Sequence, residues 1–316
     1  MAVTEQPTDG LVYVCMAQLL RLELPARQLR FNSGSPHASL LAGQHQSRLR
    51  GRGLNFEELR RYQPGDDLRH LDWRTSLRQG KPYVRSYSEE RDRPALIVLD
   101  QRMNMFFGSQ YSFKSSTAAE LAALCAWMAL QAGDRVGGLI FSDQHLQHIK
   151  PLRSRTRLIE LCSAMVRHNQ ALTAGNPDID SHAQLDNALR HCLQQAGHDQ
   201  LICIVSDFAG AGPETLQLLR KLAAHNDVLA LQVYDPLALN LPDSGHWRVT
   251  QGQLQLELAI GRRHIHQPLS QLFKGRLRDV AELLRLSQIP LLPISTGSPA
   301  LAQLRFELGK LSGRRR

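Results

Sequence analysis

The sequence ALIVLD at residues 95–100 decides the fold of this chain. Five consecutive apolar residues that end in an aspartate are typical of a strand buried on both faces, as in a parallel sheet. Four further apolar runs follow along the chain, and three of those four are also followed by an aspartate. The runs lie at residues 135–141, 201–205, 228–234 and 289–294.

Helical patterns separate these apolar runs. They predict helices at residues 116–132, 155–168, 183–195, 213–224, 269–286 and 299–308, and a hairpin at residues 247–258. Strands that alternate with helices predict an α/β fold with a mostly parallel central sheet flanked by helices. Such sheets bind ligands at the carboxyl ends of their strands. Those ends carry Asp100, Ser142-Asp143, Ser206-Asp207 and Asp235.

The pattern before residue 94 has a different character. It predicts one helix near residues 11–27, then a polar loop with the sequence FNSGSPHAS, and a strand or hairpin at residues 83–87. We therefore predict two parts: an N-terminal extension of helix and hairpin over residues 1–93, and an α/β domain over residues 94–316.

The segment RRYQPGDDLRHLDWR, residues 60–74, is the densest polar motif of the extension. It holds four arginines and three aspartates, too balanced a mixture for a flexible basic tail. Pro64-Gly65 predicts a turn, and Asp66 and Asp67 follow where a carboxylate can cap the next element. We expect an ordered loop that is held by arginine–aspartate pairs and anchored against the domain by Trp73.

Two interpretations of this motif remain open and are compatible. In one interpretation, Asp66, Asp67 and Asp72 serve as a docking surface for a partner, as a general acid or as a metal-binding cluster. In the other, they make structural ion pairs with Arg60, Arg61, Arg69 and Arg74 that tie the motif to the sheet. The residues assigned to partner binding or to the motif itself are Arg60, Tyr62, Gly65, Asp66, Asp67, Arg69, Asp72 and Trp73.

Composition limits the functional classes. The net charge of +9 is spread over intermixed acids and bases, with a basic end at Arg314, Arg315 and Arg316, so the chain lacks the continuous basic stripe of a nucleic-acid-binding protein. The five cysteines are scattered and lack metal-ligand spacing, which favours buried thiols in a reducing cytosol. The apolar run at residues 11–20 is too short to span a membrane. We expect a cytoplasmic protein.

Three stretches resemble the bacterial domain-of-unknown-function-fifty-eight family. They are GRGLNFEELRRYQPGDDLRHLDWRTSLRQGKPYVRSYSEERDRPALIVLD at residues 51–100, GDRVGGLIFSD at residues 133–143 and LICIVSDF at residues 201–208. The resemblance implies a von Willebrand factor A-like fold. It also implies a partner, a MoxR-type AAA+ ATPase, with which the protein acts on protein clients in maturation or stress response. No catalytic activity is established for the family, so the resemblance implies a protein that is not an enzyme.

Related folds carry a metal-ion-dependent adhesion site with the pattern D-x-S-x-S, a later threonine and a later aspartate. Matched to that pattern, Asp100 fills the first position and Asp207 the last, but Arg102 and Asn104 replace the two serines. The Arg102 guanidinium can stand where the cation would lie and neutralise both carboxylates. We therefore expect a degenerate, salt-bridged relic without Mg²⁺ or another cofactor, in which Asp100→Ala has a mild effect.

Three functions follow from these observations. The first is an adaptor that binds a MoxR-type AAA+ ATPase and protein clients without catalysis. The second is a divalent-metal-dependent binder or enzyme that uses Asp100, Asn104 and Asp207. The third is nucleic-acid binding through the basic surface and tail, which the charge distribution disfavours. We favour the adaptor.

Overall fold

The structure is a computed structural model, and it describes residues 10–31, 55–64, 66–88, 93–174, 182–240, 246–251, 254–259 and 263–310. The chain divides into two compact units. The larger unit comprises residues 1–43 and 93–316, and the smaller unit comprises residues 44–92. The smaller unit is thus inserted between two segments of the larger one.

The elements are numbered in the order in which they occur along the chain. The strands are β1 (Asn55–Arg61), β2 (Tyr83–Ser88), β3 (Pro94–Asp100), β4 (Arg135–Phe141), β5 (Leu146–Leu152), β6 (Leu201–Ser206), β7 (Asp227–Tyr234), β8 (His246–Gln251), β9 (Leu254–Ala259) and β10 (Leu291–Ser295). The helices are α1 (Met16–Arg21), α2 (Glu23–Phe31), α3 (Trp73–Gln79), α4 (Lys114–Ala132), α5 (Arg155–Gln170), α6 (His182–Gln195), α7 (Pro213–His225), α8 (Arg263–Leu286) and α9 (Ala300–Lys310). Short 3-10 helices lie at Leu68–His70, Met103–Met105 and Pro236–Ala238.

The smaller unit is built on an antiparallel hairpin of β1 and β2, in which Arg61 pairs with Tyr83. Sequence analysis found the second strand but missed β1, because NFEELRR is mostly charged and shows little apolar alternation. Between the strands the motif forms a 3-10 helix and α3 rather than an irregular loop. α3 ends at Gly80, whose φ of 66° is a left-handed conformation that glycine adopts without strain.

The larger unit contains a six-stranded sheet with the order β10-β7-β6-β3-β4-β5. Neighbouring strands are parallel except β5, which pairs antiparallel with β4 at one edge. The chain crosses to the other side of β3 after β5, so the carboxyl ends of β3 and β6 flank the topological switch point, where open α/β sheets bind ligands. The predicted α/β fold with a mostly parallel central sheet is confirmed.

Two apolar cores cover the two faces of this sheet. Ile97 and Leu99 of β3 belong to the core that includes α4, α5 and α9, whereas Leu96 and Val98 belong to the core that includes α6, α7 and α8. This alternation is the normal period of a strand that is buried on both faces. The four cysteines that were predicted to be buried are buried: Cys125, Cys162, Cys192 and Cys203.

The N-terminal helices belong to the larger unit, which corrects the predicted 1–93 extension. Trp127 of α4 donates its Nε1 hydrogen to the Leu19 carbonyl at 3.0 Å. The Val14 N–H donates to the Asn169 side chain of α5 at 2.9 Å, and both Val14 and Leu19 are buried in the core. The extension is therefore two separate things: a pair of helices that complete the core around α4, and the inserted smaller unit.

Strand β5, at the edge of the sheet, is a second difference between the structure and the sequence-based prediction. The sequence did not predict β5, because an edge strand with the sequence LQHIKPL has little apolar pattern.

Two glycines of β4 lie close to their neighbours. A Cβ on Gly138 would lie 2.3 Å from Leu161 Cδ1, and a Cβ on Gly137 would lie 2.4 Å from the Ile149 carbonyl oxygen. These glycines therefore serve close packing of β4 against its neighbours.

The predicted hairpin at residues 247–258 corresponds to antiparallel β8 and β9, and its turn lies outside the described residues. Among the helices of the described ranges, none has both the length and the apolar character that crossing a membrane requires.

Candidate functional site

Polar residues end three neighbouring strands on one face of the sheet. Leu96 and Val98 of β3 pack into the core with α6 and α7, and Asp100 follows on the same face. Ser206 ends β6 and pairs in register with Gln232 of β7. The Ser206 hydroxyl donates to Asp100 Oδ2 at 2.7 Å. These three side chains form a polar row at the carboxyl edge of the sheet, beside the switch point.

Arg102 neutralises Asp100 within the protein. Its Nε donates to the two carboxylate oxygens at 3.0 and 3.2 Å, and its Nη2 donates to Oδ2 at 2.7 Å. Only 1% of the Arg102 side chain and none of the Asp100 side chain is exposed. The Ala209 carbonyl accepts from Nη2 at 3.1 Å, and the guanidinium lies over the Phe141 ring. Burial alone would lower the pKa of Arg102, but Asp100 raises it, so the positive charge persists.

Lys114 and Asn104 engage the second carboxylate, that of Asp207. Lys114 Nζ donates to Oδ2 at 2.6 Å, and Asn104 Nδ2 donates to Oδ1 at 2.7 Å. The Ala209 N–H also donates to Oδ1, at 2.8 Å. Burial by itself would raise the pKa of Asp207, but Lys114 and these donors together hold it below its usual value. Asp207 is therefore a fixed, ionised member of the edge.

Asp143, which follows β4, holds the loop after β3. Its Oδ2 accepts from the Met103 N–H at 2.8 Å, and its backbone carbonyl accepts from Gln184 Nε2 at 2.9 Å. Two buried acceptor atoms near this loop, Asp143 Oδ1 and Asn104 Oδ1, lack a hydrogen-bond partner in the part of the chain that the structure describes. Buried acceptors of this kind accept hydrogen bonds from water or from a bound group.

The residues at the switch point do not fit a divalent cation. Mg²⁺ needs near-octahedral oxygen ligands, whereas Asp100 and Asp207 direct their oxygens to Arg102 and Lys114. Asn104 presents its amide nitrogen, not its oxygen, to Asp207. A cation would have to displace a side chain that already carries the compensating charge. The structure also corrects one expectation, because Lys114 rather than Arg102 makes the ion pair with Asp207.

Two arginine–aspartate pairs of the smaller unit lie within the motif. Arg60 makes a two-pronged contact with Asp66, with Nη1 and Nη2 donating at 2.8 and 2.6 Å. That contact, followed by the Gln63 N–H, lowers the pKa of Asp66. Arg69 lies 3.3 Å from Asp67 and its side chain is 84% exposed, so this second pair is solvated and weak.

Two aspartates of the motif cap helices, as the sequence predicts for Asp67. Asp67 accepts from the Arg69 N–H at the start of the 3-10 helix, at 3.0 Å. Asp72 accepts from the Thr75 N–H at the start of α3, at 2.8 Å, and from Arg85 Nε at 2.8 Å. The Thr75 N–H and then Arg85 lower the pKa of Asp72. The partner of Asp72 is thus Arg85 of β2, which was not among the predicted arginines.

Trp73 is not the buried anchor that the sequence led us to expect. Its side chain is 68% exposed, and those of Leu77 and Leu68 are 82% and 64% exposed. Trp73 and Leu77 are four residues apart, so they lie on one face of α3. Tyr62 of the same unit is half-buried, and its N–H donates to the Pro82 carbonyl at 2.9 Å.

Some predicted residues lie outside the described residues. These are Gly65 of the motif and Arg314, Arg315 and Arg316 of the basic tail.

Three residues of these sites were not predicted from the sequence: Lys114, Arg85 and Gln232. Lys114 and Arg85 are ordinary surface-type residues whose role depends on contacts 93 and 13 residues away along the chain. Gln232 carried a usable signal, because it is a polar residue near the carboxyl end of a mostly apolar strand. That break in pattern indicates an edge at which the strand meets a site.

Known proteins share sequence similarity with this chain. A family model described as "Protein of unknown function DUF58" matches residues 58–271, more than half of the chain. This match confirms the resemblance found from the sequence. Curated relatives include uncharacterized proteins from Mycobacterium bovis and Mycobacterium tuberculosis, each 28% identical over 277 residues, which are 87% of this chain and 85% of the relative.

Solved structures with a partial likeness are also found. The conserved hypothetical protein BatB from Bacteroides thetaiotaomicron is 10% identical, with a TM-score of 0.40 over 69% of this chain and 98% of that one. An aerotolerance-related membrane protein from Bacteroides fragilis is 13% identical, with a TM-score of 0.40 over 69% and 99%. A TM-score of this size establishes neither a shared fold nor a shared function.

Proposed function

We propose that this chain, which belongs to the family described as Protein of unknown function DUF58, is a non-catalytic adaptor that docks on an acidic partner protein through α3 of its smaller unit. The observation that carries the proposal is the exposure of Trp73 and Leu77 on one face of that helix. Tryptophan is enriched where protein interfaces have their strongest contacts.

The charge around α3 specifies the chemistry of the partner. Arg74 and Arg78 are also four residues apart, and both are exposed, so a cationic row runs beside the apolar one. α3 has the sequence WRTSLRQ and contains no acidic residue. An apolar pair beside a cationic row is complementary to an apolar pocket with an acidic rim.

We propose that this partner is a MoxR-type AAA+ ATPase and that the pair acts on protein clients. The proposal takes the partner from the family resemblance and the docking face from α3. Five free cysteines, four of them buried, support a cytoplasmic location, because reduced thiols persist there. Recovery of the protein in a membrane or extracytoplasmic fraction would refute that location.

The state of the carboxyl edge supports an adaptor rather than an enzyme. A general acid, base or nucleophile must be free to reach a substrate, whereas Asp100, Arg102, Lys114 and Asp207 are bound to one another. Measured turnover that Asp207→Asn abolishes, with the fold intact, would refute the non-catalytic role.

A von Willebrand factor A-like fold is part of the proposal. It is supported by the strand order, with β3 central and β5 antiparallel at the edge. An experimental structure with a different strand order would exclude it.

The direct test is a pull-down of the tagged full chain from native cells, with and without Mg-ATP, followed by mass spectrometry. We expect an AAA+ ATPase whose recovery changes with nucleotide. Leu77→Ala should reduce that recovery, whereas Leu24→Ala, which shortens a similarly exposed leucine at 67% exposure on the larger unit, should not. Equal recovery with both variants, or no ATPase in either condition, would overturn the proposal.

The metal-dependent alternative is tested with the same protein. A thermal-shift titration with Mg²⁺ and Mn²⁺ should leave the melting temperature unchanged, because Arg102 and Lys114 already engage the carboxylates. A dose-dependent rise would show specific binding to the folded state. If that rise disappeared in Asp207→Asn, the switch point would have to be reassigned as a metal site.

A further inference from the structure

A cleft of about 110 Å³ opens beside the carboxyl end of β7, between the 3-10 helix Pro236–Ala238 and α8. It is somewhat smaller than the roughly 150 Å³ cavity that holds a benzene ring in another protein. Phe107, Leu237 and Leu277 supply its apolar walls. The cleft lies wholly within the larger unit and takes no part in the adaptor function proposed above.

Gln232 is the informative residue of this cleft. Its neighbours two and four residues earlier on the same face of β7, Ala230 and Val228, are core residues. Gln232 is itself only 3% exposed, yet its side-chain amide makes no hydrogen bond with any residue that the structure describes, and it lines the cleft. The amide is accessible from the cleft and has no partner among the described residues, so it can both donate a hydrogen bond to a bound group and accept one from it. A ligand in the cleft would satisfy it.

The charged residues of the cleft fix the sign of that ligand. Asp235 already accepts from the Ser109 N–H and hydroxyl, the Thr296 hydroxyl and the Leu237 N–H. Asp207 is occupied by Lys114 and its other donors. Neither carboxylate is therefore free to bind a cationic ligand.

The two cations and two carboxylates that line the cleft balance in formal charge, and the donors left unused belong to the cations. Arg276 lines the cleft, and its guanidinium makes no ion pair or hydrogen bond within the described part of the chain. Lys114, although bound to Asp207, has three N–H donors and can use another. Free donors on cations, a free amide and apolar walls together match a carboxylate on a short apolar body.

We propose that this cleft binds a compact organic carboxylate. The carboxylate accepts from Arg276 and from the Gln232 amide, and a short branched apolar body contacts Phe107 and Leu277. The same chemistry is offered by a free small acid and by the acidic side chain of a docked protein.

The test is ligand-observed NMR titration of the full chain with isovalerate, isovaleramide and isoamylamine, which share one apolar body. We expect saturable binding of isovalerate at millimolar concentration and at least tenfold weaker binding of the amide and the amine. A parallel titration with N-acetylglutamate N-methylamide distinguishes a free small acid from the acidic side chain of a docked protein. Binding of this blocked residue assigns the cleft to a protein side chain, and binding of isovalerate alone assigns it to a free acid. Failure of both acids to bind overturns the proposal.

Three variants locate the binding. Gln232→Leu and Arg276→Gln should each weaken isovalerate binding about tenfold, because each removes a hydrogen bond to a charged group. Arg278→Gln, on the exposed part of the same helix and outside the cleft, is the matched control and should bind like the unmodified protein. Equal weakening in the control, or unchanged binding in either cleft variant, overturns the proposal.

Loss of fold is excluded by a separate readout. Gln232→Leu should melt close to the temperature of the unmodified protein, because its amide makes no hydrogen bond with the described residues that the change would break. These outcomes are independent of the ATPase pull-down, so either proposal can fail without the other.

Discussion

The Arg102 guanidinium and the Asp100 carboxylate form a closed ion pair at the switch point, two residues apart in sequence and almost completely buried. The strand places the carboxylate where doubly wound sheets bind ligands, and the next loop returns a cation to it. The charge of Asp100 is therefore neutralised by the chain itself.

The first prediction concerns this pair. Arg102→Met should destabilise the fold by about 3 kcal/mol, because it leaves the Asp100 charge buried without a partner. Asp100→Ala should destabilise the fold by a similar amount, because it leaves the Arg102 charge buried without its carboxylate and removes the acceptor of the Ser206 hydroxyl. The sequence predicted a mild effect for a salt-bridged relic, whereas a severe effect is expected here because the pair is almost completely buried. Urea unfolding measures both.

The double variant Asp100→Leu/Arg102→Met is the control for that prediction. Replacing a buried ion pair by apolar side chains is often close to neutral, so the double variant should be more stable than either single variant. If the loss of stability in the double variant equals the sum of the losses in the two single variants, the pair is not coupled as the geometry indicates.

A second prediction uses pH. The pKa of Asp207 is lowered in the folded protein, so its ion pair with Lys114 contributes stability above the unfolded-state pKa of about 3.9 and loses it as the pH falls through the folded-state pKa. Lys114→Met should therefore melt below the unmodified protein at neutral pH, and the gap should narrow in acid below about pH 4. Melting curves from neutral to acidic pH measure it.

The matched comparison for Lys114 is Lys221→Met, which removes an exposed lysine of α7. Its melting temperature should follow the unmodified protein throughout. A Lys114→Met gap that stays constant in acid would show that the loss comes from packing and not from the carboxylate.

A third prediction separates structure from recognition in the smaller unit. Asp72→Ala removes both the cap of α3 and the contact with Arg85, so amide exchange over residues 73–79 should accelerate. Trp73→Ala should leave that exchange nearly unchanged, because the side chain is mostly exposed, while it weakens capture of the ATPase. Hydrogen exchange by mass spectrometry reads both. Faster exchange in Trp73→Ala would restore the anchor role that the sequence predicted.

A fourth prediction concerns the thiols. Burial raises the pKa of Cys162 and of Cys192 to about 12, so neither supplies thiolate at neutral pH. Iodoacetamide should modify the half-buried Cys15 of the native protein first, and all five cysteines after denaturation. Labelling of Cys162 at the rate of Cys15 would mean that the core around α5 opens readily.

Sequence predicted the parts of the fold whose physics is local. The mostly apolar strands β3, β4, β6 and β7 can be recognised from the sequence, because burial on both faces leaves few polar positions, and these lie mainly near the strand ends. Edge strands such as β5 cannot, since water or a turn can satisfy their exposed groups equally well.

The candidate site was predictable in part for a related reason. Asp100 and Arg102 are neighbours in sequence, so their pairing could be anticipated. Lys114 meets Asp207 only through tertiary structure, and the exposure of Trp73 depends on what α3 fails to contact. A tryptophan in a polar segment is consistent with either an anchor or a contact surface, and only the fold distinguishes them.

The hydrogen bond from Trp127 to the Leu19 carbonyl has a consequence for how the chain is made. α1 and α2 leave the ribosome early, but their packing partners lie more than 100 residues later, with the contact between Leu19 and Trp127 spanning 108 positions. Closing so long a loop is entropically unfavourable until α4 exists. During synthesis the apolar face of α1 and α2 therefore stays uncovered until the inserted unit, β3 and then α4 have emerged. A nascent chain stalled before α4 is the form of this protein in greatest need of a chaperone.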